Sequence, residues 1–187
     1  MEFSLHTMTT APEASRPTLE ATAKQYGFVP NLFGVLAESP TAVQAYAAVN
    51  KALEQSALSP VEQQVVTLTV SAINGCTYCM GAHSTVAQMV RMPDDILKEL
   101  RDQKPLSDKK LNALRTFVIA LMHHRGWVPE KDLEDFVAAG YTRRHILDVI
   151  TLLALKTLSN YVNHLALTPL DSQFASQAWS AKGSVSP

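Results

Sequence analysis

The sequence has little of what marks several classes of protein. Its 187 residues contain only two cysteines and carry a formal net charge of -1, and lysine and arginine never cluster beyond a pair. This near-neutral balance offers no basic field for a phosphate backbone or an anionic lipid surface, so we expect neither nucleic acid nor membrane partners. No segment reaches the roughly 18 consecutive apolar residues of a membrane span. The start, MEFSLHTMTTAPEASRP, also lacks the cationic and apolar regions of a secretory signal, and we therefore expect a cytoplasmic protein.

Strand signals are nearly absent as well. No Asn-Gly or Asp-Gly turn lies between alternating apolar runs, whereas apolar residues recur at spacings of three and four through most of the chain. The composition, 47% hydrophobic and 18% charged, is typical of one globular domain with a sizeable core. The sequence therefore predicts an all-α fold. The predicted helices cover residues 17–26, 31–37, 41–55, 60–73, 78–91, 94–102, 108–124, 130–139 and 143–167.

Local residue types indicate where these helices begin and end. Ser59, Ser107 and Thr142 stand where periodic segments begin, and their side chains can accept hydrogen bonds from the first backbone N–H groups. Four glycines mark helix ends: Gly27, Gly75, Gly126 and Gly140. Residues 1–12 and 175–187 lack periodicity, so we expect a flexible N-terminal segment and a C-terminal tail, frayed or held only by a neighbouring subunit, around one domain of residues 13–174.

The last predicted helix, residues 143–167, is apolar around most of its circumference. This pattern predicts burial on several sides, within a bundle or between subunits. Its polar exceptions form one stripe: Lys156, Asn160, Asn163 and His164. The stripe either makes ordinary hydrogen bonds at an interface or with solvent, or it forms a wall of an active pocket. Phe174 and Trp179 lie in a tail with no core of its own, and with the apolar helix they predict a homo-oligomer.

The two cysteines stand three residues apart in the segment NGCTYCMGAHS, residues 74–84. In a reducing compartment such a close pair is more often catalytic or metal-binding than a structural disulfide. If a helix begins near Thr77, Cys79 lies in its first turn, and His83 lies four residues later on the same face. The unpaired N–H groups of the helix start and the neighbouring imidazole then both favour the thiolate form of Cys79.

This arrangement predicts nucleophilic chemistry that needs no metal or organic cofactor. Cys76 is within disulfide reach of Cys79, which makes Cys76 the natural resolving thiol. The thiolate would attack a soft electrophile, for which a peroxide oxygen is the best fit, and the resulting sulfenic acid would condense to a disulfide. A zinc site fits less well. Cys76, Cys79 and His83 would supply three ligands, but the second pair expected of a tetrahedral structural site is missing.

The segment NGCTYCMGAHS, preceded by LSPVEQQVVTLTVSAI, resembles the carboxymuconolactone decarboxylase and alkylhydroperoxidase (AhpD-like) superfamily, in particular its peroxidase-related branch. The likeness runs from residue 27 to residue 174 and includes NYVNHLALTPLDSQF. It implies an all-α AhpD-like fold, assembly as trimers or hexamers, and thiol peroxidase activity with an external lipoyl or thioredoxin-like dithiol reductant. By position, Cys79 matches the peroxidatic cysteine, Cys76 the resolving cysteine and His83 the proton-relay histidine.

Two positions depart from the family pattern. Gln64 stands where the family has a glutamate, and Tyr78 stands where it has a second histidine. A glutamine accepts no proton at any working pH, so the relay from His83 ends there or passes through water. Glu62 is two residues away, a turn of roughly 200° along a helix, and should point elsewhere. The sequence therefore predicts a weak peroxidase, and a gain of about tenfold for Gln64→Glu.

A polar stripe on the same predicted helix leads toward the cysteines. Its members follow spacings of three, four and three: Gln64, Thr67, Ser71 and Asn74. Asn160 of the last helix is a further candidate for the pocket wall. Two interpretations stay open, because the stripe either lines the site or makes ordinary hydrogen bonds between helices and with solvent.

Two other functions also fit the sequence. One is a redox-sensing or scaffold oligomer whose disulfide switches its association rather than turning over peroxide. The other is a lactone enzyme like those of the decarboxylase branch, which do not need the cysteine pair, so the intact pair favours redox chemistry. The peroxidase is distinguished from the sensor by rapid repeated turnover with a dithiol and a peroxide.

Overall fold

The structure is a computed structural model that describes residues 2–180, and every regular element within that range is helical. The α-helices in chain order are α1 (Arg16–Tyr26), α2 (Asn31–Leu36), α3 (Pro40–Ala52), α4 (Pro60–Ile73), α5 (Thr77–Met89), α6 (Asp94–Arg101), α7 (Lys109–His123), α8 (Glu130–Ala138) and α9 (Arg143–Ala166). Short 3₁₀ helices cover Glu13–Ser15, Leu53–Gln55 and Ser172–Gln177. The all-α prediction is confirmed, and each predicted helix overlaps one of the nine.

Helix α4 lies at the centre of the fold, packed against α5, α7 and α9. Its side chains Val65, Val66, Leu68 and Val70 are fully buried. Each buried aliphatic side chain of this size stabilises the fold by about 1.5–3 kcal/mol. The helix begins at Pro60, directly after the N-cap Ser59, because proline fits the first helical position. Helix α4 is therefore a firm base from which neighbouring elements can be positioned.

A tight turn joins α4 to α5 and positions the cysteines. Gly75 adopts a φ of 68°, a left-handed conformation that glycine reaches without steric cost. The backbone N–H of Cys76 then donates to the carbonyl oxygen of Ser71 at 2.9 Å. Cys76 becomes the N-cap of α5, and Cys79 lies in the first turn of that helix, as the sequence predicted.

The predicted helix starts are right at Ser59 and Thr142, which are N-cap residues, and wrong at Ser107. Asp108 is the N-cap of α7 instead, and its Oδ1 accepts a hydrogen bond from the backbone N–H of Leu111 at 2.8 Å. A carboxylate has the advantage there, because the positive end of the helix dipole favours negative charge. Ser107 binds Glu99 through both its backbone N–H and its hydroxyl group.

The two chain ends pack more closely than the sequence indicated. Ala11 is buried in the core, and the backbone N–H of His6 donates to the carbonyl oxygen of Gly34 at 3.1 Å. At the other end, the indole Nε1 of Trp179 donates to the carbonyl oxygen of Arg101 at 2.9 Å. Ala11, the backbone of His6 and Trp179 thus contact the domain of their own chain, and the flexibility of the two ends stays a prediction. Residue 1 and residues 181–187 of the predicted tail lie outside the described residues.

Helix α9 is buried on one side and exposed on the other. Val149, Leu152 and Leu155 lie in the core, whereas Tyr161 and Leu165 are 58% and 74% exposed. The burial on several sides that its sequence predicts is therefore not reached within a single chain. The homo-oligomer stays a prediction. None of the helices formed by residues 2–180 combines the length and the apolarity that a membrane-spanning segment requires.

Candidate active site

Cys79 is the centre of a buried polar cluster. Both Cys76 and Cys79 are free thiols with 1% exposure. The side-chain amide of Asn163, from α9, donates through Nδ2 to Cys79 Sγ at 3.3 Å and lies 4.0 Å from Cys76 Sγ. Helix α9 thus closes over the start of α5 and brings an amide donor to both sulfur atoms.

Lys156, one turn earlier on α9 than Asn160, is the cation of this cluster. Its side chain is 1% exposed, and its Nζ lies 3.6 Å from Cys79 Sγ and 2.9 Å from His83 Nε2. A lysine is almost never buried to this extent without a partner, since its ammonium group loses water. The sulfur atom of Cys79 supplies that partner as a thiolate.

The contacts of His83 fix its tautomer. Its Nε2 faces the ammonium group of Lys156, which can only donate, so Nε2 must be the unprotonated acceptor. Its Nδ1 then carries the proton and donates to Gln64 Oε1 at 3.0 Å. The imidazole is therefore neutral and bridges a cation and an amide. We call this set of five residues the thiol cluster: Cys79, Asn163, Lys156, His83 and Gln64.

The two cysteines have pKa values shifted in opposite directions. Burial alone would raise the pKa of Cys79, but the hydrogen bond from Cys76, the charge of Lys156 and the amide of Asn163 hold it well below its usual range. The hydrogen bond that Cys76 donates to Cys79, together with burial, raises the pKa of Cys76. Cys79 is therefore the thiolate of the pair, and Cys76 keeps its proton.

The pKa values of the two bases beside Cys79, Lys156 and His83, are also shifted, and these shifts maintain the same distribution of charge. Burial would lower the pKa of Lys156, yet the negative charge of Cys79, the hydrogen bond to it and smaller contributions from neighbouring groups together outweigh burial, and the pKa is raised. Burial and the charge of Lys156 both lower the pKa of His83 well below its usual range. At neutral pH the cluster holds one anion, one cation and a neutral imidazole.

Two cavities reach the thiol cluster. The first, which we call the aromatic cavity, has a volume of about 250 Å³ and ends at Cys79, His83 and Lys156. Its walls include six phenylalanine and tyrosine side chains: Tyr26, Phe28, Phe33, Tyr46, Tyr78 and Phe174. The second, the polar cavity, has a volume of about 160 Å³, and Gln64, Thr67, His83 and Lys156 lie in its wall. An apolar molecule can therefore approach the sulfur, while water can approach the imidazole.

Tyr78 positions the wall of the aromatic cavity rather than taking part in the relay. Its hydroxyl donates to Asp171 Oδ2 at 2.7 Å and accepts from the backbone N–H of Leu32 at 3.3 Å. Asp171 also accepts from the backbone N–H of Asn31 at 3.0 Å. Burial and the hydrogen bond to Asp171 raise the pKa of Tyr78, so it remains a neutral phenol. These bonds hold the C-terminal segment, with Phe174, over the start of α5.

The remaining sequence-predicted residues divide into two groups. Ser71 and Asn160 lie between α4 and α9, where Asn160 Nδ2 is 3.5 Å from Ser71 Oγ and Asn160 Oδ1 accepts from Asn74 at 2.9 Å. Glu62 lies elsewhere. Its carboxylate accepts from the hydroxyl of Tyr141 at 3.0 Å and pairs with Lys110 at 3.0 Å. The structure thus brings Gln64 to His83 and turns Glu62 away from it.

Sequence reasoning did not single out Lys156 and Asn163 as site residues, although both belonged to the polar stripe of α9. Within that stripe Lys156, Asn160 and Asn163 are buried, whereas His164 is exposed. A lysine inside an almost wholly apolar helix was the available signal. Its partner could not be named, because Cys79 lies on another helix, 77 residues earlier in the chain.

Comparison with known proteins gives one sequence match and several structural ones. The sequence model of the Carboxymuconolactone decarboxylase family matches residues 40–106. No curated protein matches the chain. The AhpD core structure of an uncharacterized peroxidase-related protein from Ralstonia eutropha JMP134 is 22% identical, with a TM-score of 0.83 over 92% of this chain and 93% of that one.

Other solved structures share the same architecture. An uncharacterized peroxidase-related protein from Silicibacter sp. TM1040 is 22% identical, with a TM-score of 0.79 over 95% of this chain and 96% of that one. The debrominase Bmp8 is 14% identical, with a TM-score of 0.76 over 94% of this chain and 95% of that one. At these identities the likeness establishes the fold and leaves the substrate open. Residues 40–106 are thus similar in sequence to the Carboxymuconolactone decarboxylase family, and nearly the whole chain shares the fold of the AhpD core and peroxidase-related structures.

Proposed function

We propose that the protein is a thiol-dependent peroxidase that reduces hydroperoxides through Cys79 and Cys76. The observation that carries this proposal is the position of Cys79: its sulfur is held beside Lys156 and Asn163, at the end of an apolar cavity, next to a second thiol. A thiolate is the nucleophile in such chemistry, and a neighbouring thiol allows the oxidised sulfur to be resolved.

In the oxidative step, Cys79 Sγ attacks the terminal oxygen of the hydroperoxide. An S–O bond forms, the O–O bond breaks, and the alcohol leaves after taking a proton. Lys156 supplies this proton, because its ammonium group is the charged acid beside the sulfur, at 3.6 Å. Loss of the thiolate charge also makes this proton easier to release, since the ion pair that held it on Lys156 is gone.

In the resolving step, the sulfur of Cys76 attacks the sulfenic acid of Cys79. An S–S bond forms and the hydroxide leaves as water, using the proton that Cys76 loses. The sum is one hydroperoxide and two thiols converted to one alcohol, one water and one disulfide. An external dithiol must then reduce the disulfide, which makes the cycle catalytic.

The polar cavity provides the route by which Lys156 regains its proton. Lys156 lies in the wall of this cavity, so water there can return a proton to its amine directly, whereas His83 Nε2 carries no proton and only accepts from Lys156. Gln64 accepts a hydrogen bond from His83 Nδ1 but takes up no proton, and the carboxylate that lines this cavity is that of Glu54. The proton path therefore ends in solvent. The positive charge of Lys156 takes the place of the carboxylate that the family pattern has at position 64.

Two cysteine variants test the proposal. Cys79→Ser should abolish peroxide consumption, whereas Cys76→Ser should consume about one equivalent and accumulate a sulfenic acid that a dimedone probe labels. Rapid multiple turnover with a hydroperoxide and a dithiol supports the peroxidase. A single slow oxidation accompanied by a change in association state would instead support the redox sensor. Equal alkylation rates of the two cysteines at neutral pH would contradict the assigned roles.

A second candidate, reductive debromination, is favoured by the aromatic walls of the cavity at Cys79. A related fold, a cysteine variant of the debrominase Bmp8, was solved with 2,3,4-tribromopyrrole, at 13% identity and a TM-score of 0.75 over 95% of each chain. The same two thiols can reduce a C–Br bond to C–H, releasing bromide and forming the disulfide. Bromide release from 2,3,4-tribromopyrrole with a dithiol, absent in Cys79→Ser, would favour this activity over peroxide reduction.

A further inference from the structure

Lys156 and Cys79 form an ion pair that is almost completely shielded from solvent. Both residues are 1% exposed, and Lys156 Nζ lies 3.6 Å from Cys79 Sγ. The amine also contacts His83 Nε2 at 2.9 Å, and that nitrogen cannot give it a proton because it is the acceptor. An amine and a reactive sulfur are therefore held side by side where the chemistry of Cys79 takes place.

The oxidative step of the proposed function leaves this amine without a proton. Lys156 gives its proton to the departing alcohol, and Cys79 becomes an uncharged sulfenic acid. Burial lowers the pKa of Lys156, and oxidation removes the charge of Cys79 and the hydrogen bond to it, which raise that pKa in the reduced protein. A neutral amine is a nucleophile, whereas an ammonium group is not. Until water in the polar cavity returns a proton, Lys156 can attack the oxidised sulfur.

We propose that Lys156 is itself a site of modification, whose amine captures the sulfenic acid of Cys79 as a sulfenamide. The inference rests on the proposed function, which forms the sulfenic acid. Nζ attacks Sγ, an S–N bond forms, the S–O bond breaks, and hydroxide leaves as water with a proton from the nitrogen. The sulfur keeps its oxidation state, so the step needs no further oxidant. The flexible stem of lysine allows the amine to close the distance to the sulfur.

The sulfenamide is a reversible state that protects Cys79. A sulfenic acid that meets more peroxide becomes a sulfinic acid, which thiols do not reduce, whereas the S–N bond occupies the sulfur. In the unmodified protein Cys76 Sγ then attacks Cys79 Sγ, the S–N bond breaks, the disulfide forms, and the nitrogen takes the proton of Cys76. When Cys76 is blocked, an external thiol makes the same attack, and a second thiol frees Cys79 from the mixed disulfide.

The cysteine content of the chain makes this bridge identifiable. The chain has two cysteines, so Cys76→Ser cannot form a disulfide within one molecule. Cys76 occupies the N-cap of α5, where serine is a favoured residue, so this variant should fold. Loss of a pair of hydrogens from a Cys76→Ser monomer therefore reports a bond between Cys79 and a group other than a thiol.

The test is the intact mass of Cys76→Ser after one equivalent of cumene hydroperoxide, measured under denaturing, non-reducing conditions. The sulfenic acid accumulates first, as dimedone labelling reports, and the bridge then forms from it. We expect a final monomer about 2 Da lighter than the reduced protein, restored to its original mass by dithiothreitol. Proteolysis of the lighter monomer should give joined peptides that contain Cys79 and Lys156.

Three double variants serve as controls, each combining Cys76→Ser with one change: Lys156→Arg, Lys156→Met or Lys110→Met. The guanidinium group of Lys156→Arg keeps both its charge and its proton, and Lys156→Met removes the amine altogether. Both variants should gain about 16 Da as the sulfenic acid, and about 32 Da as the sulfinic acid with excess peroxide. Lys110 pairs with Glu62, so Lys110→Met should behave like Cys76→Ser alone.

The inference is overturned if the variants without Lys156 also become about 2 Da lighter, because an amide nitrogen then forms the bond. A gain of about 16 Da that persists in Cys76→Ser would also overturn it, since the amine then leaves the sulfenic acid unused.

Failure of the proposed function looks different, because cumene hydroperoxide would then leave every variant at its reduced mass. Hypochlorous acid decides in that case. It converts a thiol to a sulfenyl chloride and water without a peroxide, and the amine of Lys156 can displace chloride to give the same S–N bond. Cys76→Ser without joined peptides of Cys79 and Lys156 after this treatment would overturn the inference.

Discussion

Helix α4 contributes to two buried polar clusters that differ in how completely their charges are satisfied. Near its start, Glu62 forms what we call the carboxylate cluster with three other residues: Ser59, Lys110 and Tyr141. Two residues further along, Gln64 joins the thiol cluster through His83. Each cluster contains an ion pair with a buried anion, yet of the two only the thiol cluster lies at the end of a cavity that an apolar molecule can enter.

The difference lies in the partners of each anion. The carboxylate of Glu62 accepts from the backbone N–H of Ser59 at 2.8 Å, from Tyr141 at 3.0 Å and from Lys110 at 3.0 Å. The sulfur of Cys79 accepts from Asn163 at 3.3 Å and from Lys156 at 3.6 Å, ordinary lengths for the larger sulfur atom, and it also lines the aromatic cavity. A saturated anion stabilises the fold and does not react, whereas an anion with a free side facing a cavity remains a nucleophile. Buried charge alone therefore does not identify a site.

The largest expected effect is on Lys156→Met. Removing the ammonium group should raise the pKa of Cys79 toward the ordinary thiol value of about 8.5 and slow peroxide reduction about a hundredfold or more. Stability should be unchanged or higher, because a methionine of similar length avoids burying a charge. The pH dependence of iodoacetamide labelling at Cys79 measures the pKa, and thermal unfolding measures stability.

Lys110→Met is the matched control, since it removes the lysine of the carboxylate cluster. Its side chain is 54% exposed, so the loss of stability should be small, and the labelling profile of Cys79 should not move. If Lys156→Met leaves the labelling profile in place, the hydrogen bonds from Cys76 and Asn163 and the helix start hold the thiolate without the lysine. The distinction between the two clusters would then lose its electrostatic basis.

Next in size is the effect of Glu62→Gln on stability. Burial would raise the pKa of Glu62, but the hydrogen bonds from Ser59 and the contacts with Lys110 and Tyr141 lower it to about 2, from the usual 4.5. A depressed pKa contributes stability that is complete above the usual value and is lost as the pH falls through the folded value. Glu62→Gln should therefore cost about 1–3 kcal/mol at pH 7.

The same variant gives a pH signature. The difference in unfolding free energy between Glu62→Gln and the unmodified protein should shrink between pH 5 and pH 2, because protonation removes the same charge in the latter. Urea unfolding across this range measures it. The rate of peroxide reduction by Glu62→Gln at pH 7 should stay within twofold of the rate of the unmodified protein. Loss of activity without loss of stability would show that Glu62 belongs to the relay after all.

The sequence was sufficient for the helices and for half of the thiol cluster. Apolar spacing, prolines and capping residues act within a few positions, so the helix limits could be predicted to within a few residues. The phase of α4 also separated Glu62 from Gln64 correctly, since helical geometry fixes that angle. Sequence spacing determines which residues of one helix lie on the same face and can contact each other.

The other half of the cluster depends on how helices pack. Lys156 and Asn163 reach Cys79 only because α9 lies across α4 and α5, and no local pattern fixes that crossing. The sequence placed the imidazole of His83 directly beside the thiol. In the structure, the ammonium group of Lys156 contacts both groups and links them. The role of His83 thus changes from the base for Cys79 to the acceptor for Lys156.

The smallest expected effect is that of Gln64→Glu. For this variant the contacts in the structure predict a loss of activity, whereas the sequence predicts a gain. The family pattern predicts a gain of about tenfold, because a carboxylate would accept the proton of His83. Lys156 already supplies the counter-charge, so a new carboxylate adds a second buried anion near Cys79 and raises its pKa. It also favours protonation of His83, which could then no longer accept from Lys156.

We expect peroxide reduction by Gln64→Glu at pH 7 to fall by about two- to tenfold and the pH optimum to move upward, as one pKa unit corresponds to a factor of ten. The pH–rate profile of peroxide reduction tests this, and Glu62→Gln, the reverse change two residues away, should leave that profile in place. A tenfold gain at pH 7 would show instead that the relay lacks an acceptor and that Gln64, rather than Lys156, limits the rate.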